Sequence, residues 1–238
     1  MSFGIETAAD NPHALDMVAY MLGQFPELVD SGVSGYPIIS RATANVVGNY
    51  ATYTSGIIGK LIFLNTQNFA EISNILEPIF THINKTWPGF EFLVNITHFP
   101  SFYSWYEEKY DGSPVGYENV MSSRLLDGPS LMSNATATKL AFEKFSEGGF
   151  ATVYIVSGKG VWNAKPRGGR NAALPAWRKS YVHSSQFFHR LMRIVYLIAA
   201  TMAPASLNAT AKAAAITTMS YFTASLREFQ PEYRGLRQ

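Results

Sequence analysis

The sequence predicts an α+β fold, a single mostly antiparallel β-sheet with helices packed on one face. Three observations predict it. Apolar residues make up 47% of the chain and charged residues only 15%, which allows a real core and excludes a disordered protein. Helical and extended patterns alternate too irregularly for a doubly wound nucleotide-binding fold. The segment 90–98 has a period of two, with Phe90, Phe92, Val94 and Ile96 in one row and Glu91, Leu93, Asn95 and Thr97 in the other. The first row belongs under helices, the second on a face free to meet a ligand, water or another protein. No repeat, low-complexity linker or composition break divides the chain, so residues 1–238 are expected to form one domain.

The elements follow in order. "NPHALDMVAYMLGQFPELVDSG" predicts a helix with Asn11 as N-cap, Pro12 in the first turn and apolar positions at Leu15, Val18, Leu22 and Phe25. Gly32 stops it, and Pro26 is expected to kink its last turn. "GYPIIS" reads as a strand. "NYATYTSGIIGKLIFLN" reads as two β segments broken around Gly56–Gly59. "NFAEISNILEPIFTHINKTW" has helical spacing at Phe69, Ile72, Ile75, Leu76, Ile79 and Ile83. After the strand at 90–98, "SFYSWYEEKY" is a short helix, and Phe102, Trp105 and Tyr106 have the spacing of core residues rather than of a lid. "NVMSSRLL" is a strand. "SNATATKLAFEKFSEGG" is a helix capped by Ser133 or Asn134 and stopped by Gly148. "FATVYIVSG" and residues 178–187 are strands, and "LNATAKAAAITTMSYFTASLREF" is an alanine-rich helix.

Composition excludes several function classes. The chain has no cysteine, which removes disulfides, thiolate catalysis, Cys-ligated zinc and Cys-tethered cofactors. A net charge of +2 gives no basis for binding nucleic acid or an acidic membrane. The longest apolar run, "IVYLIAATMA", is about half of the ~20 residues a membrane helix needs. The start "MSFGIETAADNPHALDM" lacks a basic region followed by an apolar block, so a cytoplasmic protein is expected. With a signal upstream the protein would be secreted, and Asn84, Asn95, Asn134 and Asn208 would become glycan sites.

Candidate chemistry is sparse. "SGKGVWNAKPRGGR" matches neither common phosphate-loop spacing and reads as a mobile basic loop. His13, His82, His98, His183 and His189 form no metal-ligating spacing, so no metal site is expected. No serine sits in G-x-S-x-G. His183 lies on a strand with Tyr181 and Ser185 on the same face; it is either a general acid–base or a hydrogen-bonded structural histidine. Glu91 is the one acidic residue expected on the open face, as a proton donor or a solvated edge residue. On 119–126, Val120, Ser122, Arg124 and Leu126 oppose Asn119, Met121, Ser123 and Leu125. The open face is expected to carry Tyr, Asn, Arg and His among apolar side chains, a mixture suited to an apolar ligand or to a protein interface.

Three stretches together carry a resemblance: "ALDMVAYMLGQFPELVDSGVSGYPI", "FLVNITHFPSFYSWYEEKY" and "NAALPAWRKSYVH". In this order they resemble the substrate-binding domain of berberine bridge enzyme-like FAD-linked oxidases of the vanillyl-alcohol oxidase superfamily, particularly fungal members. The resemblance covers about residues 10–185; "SSQFFHRLMRIVYLIAATMAP" departs from it, leaving 187–238 as a C-terminal helical segment. It implies an antiparallel sheet roofing flavin and substrate, with the loop and strand at 168–183 bordering the cavity. The family's FAD-binding half, with its glycine-rich pyrophosphate loop, and its closing Tyr-x-Asn-Glu type motif have no counterpart in this sequence. No bound cofactor is therefore expected, and FAD enters only with a separate flavin domain.

The resulting expectation is a flavin-independent cyclase or isomerase, of pericyclic or Diels-Alderase-like kind, acting on an apolar natural-product intermediate of fungal-type secondary metabolism. Positioning alone can supply about 7–11 kcal/mol in such chemistry. His183, Tyr181 and Arg124 are the candidate catalytic residues; Tyr36, Tyr50, Asn95 and Tyr154 are the candidate substrate contacts. The alternative is a truncated or split substrate domain, active only with a flavin-domain partner, or a non-catalytic ligand-binding module. The expected partners are a small apolar organic substrate and a second copy in a homodimer, with no nucleic acid and no membrane.

Overall fold

A computed structural model describes residues 1–44, 53–64, 66, 68–110, 112, 120–157, 161, 163–165, 174–188 and 209–230. It opens with a strand absent from the sequence reading, β1 (Ser2–Ala8). Five successive residues, Phe3 to Thr7, are buried, so both faces of β1 are covered there and no two-residue alternation marks it.

Helix α1 (Ala14–Asp30) starts later than Asn11 predicts. His13 takes the N-cap position without a side-chain hydrogen bond. Asn11 builds the preceding turn instead, accepting from the His13 amide at 2.9 Å and donating to Thr7 Oγ1 at 2.8 Å. Gly32, at φ +94°, ends the helix as expected.

Strands β2 (Val33–Gly35) and, as far as Ser40, β3 (Ile38–Ala44) share one register against β4 (Tyr53–Phe63), with Gly35 opposite Leu61 and Ile38 opposite Ile58, and the register shifts between Ser40 and Thr43. They are one strand interrupted at Tyr36–Pro37. Proline has no N–H for the ladder, but its carbonyl still accepts from the Val153 amide at 2.9 Å. β4 runs unbroken through Gly56 and Gly59, where a break was expected. Those glycines mark close approach rather than a turn: a Cβ on Gly56 would fall on the Ile5 carbonyl, and one on Gly59 on the Tyr36 carbonyl.

Helix α2 (Phe69–Thr86) is capped by Asn68, which accepts from the Ala70 amide. Then come β5 (Glu91–Asn95), α3 (Phe102–Lys109), β6 (Val120–Asp127), the short α4 (Gly128–Met132) and α5 (Ala135–Phe145). Asn134 caps α5 by accepting from the Ala137 amide. β7 (Phe150–Ile155), a 3-10 turn at Pro175–Arg178, β8 (Ser180–Phe188) and α6 (Ala209–Phe229) complete the described elements. The apolar run "IVYLIAATMA" lies outside the described residues. Among those described, no helix is long and apolar enough to cross a membrane.

Every described strand pair is antiparallel, in the order β5-β1-β4-(β2, β3)-β7-β8-β6. Helices α1, α2, α5 and α6 share one hydrophobic core with a single face of this sheet. Met17, Met21, Leu22 and Phe25 of α1 and Ile79 and Ile83 of α2 meet Phe3, Ile5, Ile39, Ile57, Val153 and Val182. Fully burying one such side chain stabilises by about 1.5–3 kcal/mol, and this layer is what orients the opposite face. The apolar row of β5 is only partly covered: Phe90 is buried and Phe92 packs on Phe80 of α2, but Val94 is 43% exposed because β5 is the edge strand.

Candidate functional site

One transverse line of cross-strand neighbours crosses all seven strand positions on the face opposite the helices. It runs Asn95, Ser2, Lys60, Tyr36, Tyr154, His183, Leu125. Register places Ser2 between Asn95 and Lys60, and His183 between Tyr154 and Leu125. Tyr36 joins the halves: its amide donates to the Lys60 carbonyl at 2.9 Å, and its ring meets Tyr154 edge-on at 5.6 Å. Four of the expected site residues, Asn95, Tyr36, Tyr154 and His183, are thus brought into one row from four parts of the chain.

The other expected residues stand elsewhere. Arg124 was read on the open face, but it is 4% exposed beneath α6, and its guanidinium donates to the Gln230 carbonyl at the end of that helix. Alternation along β6 separates the two faces correctly, yet only the packing of α6 tells which face is covered. Burial, and then the Arg227 charge, hold the Arg124 proton affinity below its ordinary value. Tyr181 does not share a face with His183. The pairing of β6 and β8 shifts between Leu126 and Asp127, and this irregularity turns Tyr181 toward the helices. Its hydroxyl donates to the Asp30 carboxylate of α1, at 3.3 Å to each oxygen. Tyr50, the loop 166–173 and the sequon at Asn208 lie outside the described residues; Asn84, Asn95 and Asn134 are exposed.

His183 is half-buried, and Trp177 of the 3-10 turn stands edge-on to it at 5.0 Å. Burial lowers its proton affinity below the ordinary 6.5, so the ring is mostly neutral at neutral pH and able to accept a proton. Tyr36, 51% exposed, can donate a phenolic hydrogen bond. A substrate laid along the row would meet hydrogen-bonding groups at several points and be held in one orientation.

The left half of the row opens into a cavity of about 880 Å³ at the end of the sheet where β1 starts and β4 and β5 finish. Tyr36, Lys60 and Asn95 line it from the sheet, and Phe102, Trp105 and Lys109 from α3. α3 has no buried residue, and Phe102 is 72% exposed, so its aromatic stripe is not the core expected from its spacing. Sequence reasoning also missed Lys60, although a lone lysine within "GIIGKLIF" is a signal that a strand face is open. Glu6 was missed because β1 was. It sits opposite Glu91 on the same face, fully buried, and accepts from Thr54 Oγ1 at 2.8 Å and Ser40 Oγ at 3.2 Å.

Among the described residues, the starts of α1 to α5 do not fit the pyrophosphate of a flavin dinucleotide. A pyrophosphate is held by unengaged N–H groups at a helix start. The starts of α2, α3, α4 and α5 are already capped by Asn68, Ser101, Asp127 and Asn134, and α1 carries Asp16 in its first turn. Among the described residues no three His, Cys, Asp or Glu side chains converge as a metal site.

An antiparallel sheet with helices on one face and a polar, aromatic row on the other defines an α+β architecture. The particular likeness is to a VAO-type flavoprotein, MtVAO713, from Myceliophthora thermophila C1, with a TM-score of 0.72 and 22% identity over 98% of this chain. The chain spans 40% of that protein's length. At this identity the likeness is one of fold. No protein-family model matches the chain, and no curated protein matches it.

Proposed function

We propose that the chain is the substrate-binding cap of a flavin-dependent oxidoreductase of VAO-type architecture, of the berberine bridge enzyme-like kind. The observation that carries this is the row from Asn95 to His183, on the face opposite α1, α2, α5 and α6 of a sheet that shares its fold with part of a flavoprotein. In this reading the row is one wall of a substrate cavity, Tyr36 and Tyr154 orient the substrate, and neutral His183 accepts a proton from it. The flavin is held by a separate body facing that wall. The flavin-independent cyclisation expected from the sequence would use the same wall, but the likeness to a flavoprotein favours the cap.

The test uses the 238-residue chain, alone and mixed with a panel of separately produced VAO-type flavin-binding domains. The expected result is a colourless, inactive chain and a mixture in which substrate bleaches the flavin band. Turnover by the chain alone, without flavin, would overturn the cap and support the cyclase.

A further inference from the structure

The cavity at the sheet end has a charge pattern that selects its ligand. Its volume, about 880 Å³, suits a drug-sized molecule. Among the described residues, its walls hold no aspartate or glutamate but do hold Lys60 and Lys109. The Lys109 ammonium pairs with the neighbouring Glu108 and lies 5.9 Å from the Phe99 ring. Lys60 is exposed and, among the described residues, has no acidic partner. Phe102 and Trp105, which line the same cavity, form a ring pair with centroids 5.4 Å apart.

From this arrangement we infer that the cavity binds a small aromatic carboxylate, its acid group on Lys60 and its ring against Phe102 and Trp105. The inference rests on the reading that this end of the sheet receives the substrate, and it names the substrate class. A phosphate ester fits less well. Phosphate is favoured by helix N-termini and arginine forks. The start of α3 is closed by its capping box, in which Ser101 accepts from the Ser104 amide and Ser104 accepts from the Ser101 amide, and no arginine lines the cavity among the described residues.

Calorimetric titration of the 238-residue chain with 3-phenylpropionate and with its neutral amide tests this. The acid is expected to bind about fivefold tighter, the effect of one partly solvated ion pair. The preference is lost in Lys60→Gln and kept in Lys60→Arg, and Phe102→Ala weakens both ligands alike. Circular dichroism of each variant separates loss of binding from loss of fold. Equal affinities, a preference for the amide, or binding of neither ligand would overturn the inference. None of these outcomes bears on whether a flavin domain docks, and failure of docking leaves the acid preference standing.

Discussion

Trp177 stands edge-on to His183, ring centroids 5.0 Å apart at 64°, and shares in removing the imidazole from water. The folded ring therefore releases its proton below the ordinary 6.5. Between that lowered value and 6.5 the unfolded chain binds more protons, so stability falls as pH drops through this window. Above about 6.5 the contribution of the neutral ring is fully present. In His183→Gln this slope is expected to flatten. Melting temperatures measured across the window check it, and parallel curves for parent and variant would show that His183 does not titrate there.

Glu6 ties three strands together, because hydroxyls from β3 and β4 both donate to its carboxylate. Glu6→Ala is expected to lower stability by about 1–3 kcal/mol by leaving buried donors unpaired. Glu91→Ala, at the half-buried edge, is expected to stay within about 0.5 kcal/mol. Urea midpoints of the two variants decide, and equal midpoints would contradict the assignment.

Tyr181 and Tyr36, both expected on the open face, separate by consequence. Tyr181→Phe removes a hydrogen bond to Asp30 and is expected to cost about 0.5–1.5 kcal/mol of stability. Tyr36→Phe leaves the midpoint within about 0.5 kcal/mol. A reversal of that order would place Tyr181 on the ligand face after all.

Gly56→Ala is expected to destabilise by about 1–3 kcal/mol or more, since the new methyl group meets the backbone of β1 and not a yielding side chain. Soluble expression and thermal melting report it. A melting temperature equal to that of the parent would mean that β1 and β4 stand further apart.

Tyr36, Leu93 and Met121 are all exposed on the face opposite α1, α2, α5 and α6. Without a flavin domain, a second copy of the chain is proposed to cover this face, since apolar area removed from water stabilises by about 25 cal/mol per Å². Light scattering at micromolar concentration is expected to give a dimer mass, and a monomer would count against it.

Some of this was legible from local pattern. α2 and α5 carry their caps, Asn68 and Asn134, in the sequence, and β5 shows its two faces by alternation. β1 was not legible, because a strand buried on both sides has no alternation to read. The interruption at Pro37 and the continuity of β4 through Gly56 and Gly59 were hidden too. Proline and glycine look like breakers in isolation, and only a neighbouring strand shows whether a donor is missing or a methyl group would collide.

By itself the sequence determined the antiparallel α+β class, most of its helices and the presence of a face with Tyr, Asn and His. Those follow from periodicity and capping, which act over a few residues. The tertiary structure alone decided which residues share that face. α6 buries Arg124 from about a hundred residues away, an irregular pairing turns Tyr181 inward, and a common register aligns Lys60 with Tyr36 and His183. Strand register and helix docking are long-range contacts, and a local pattern carries no record of them.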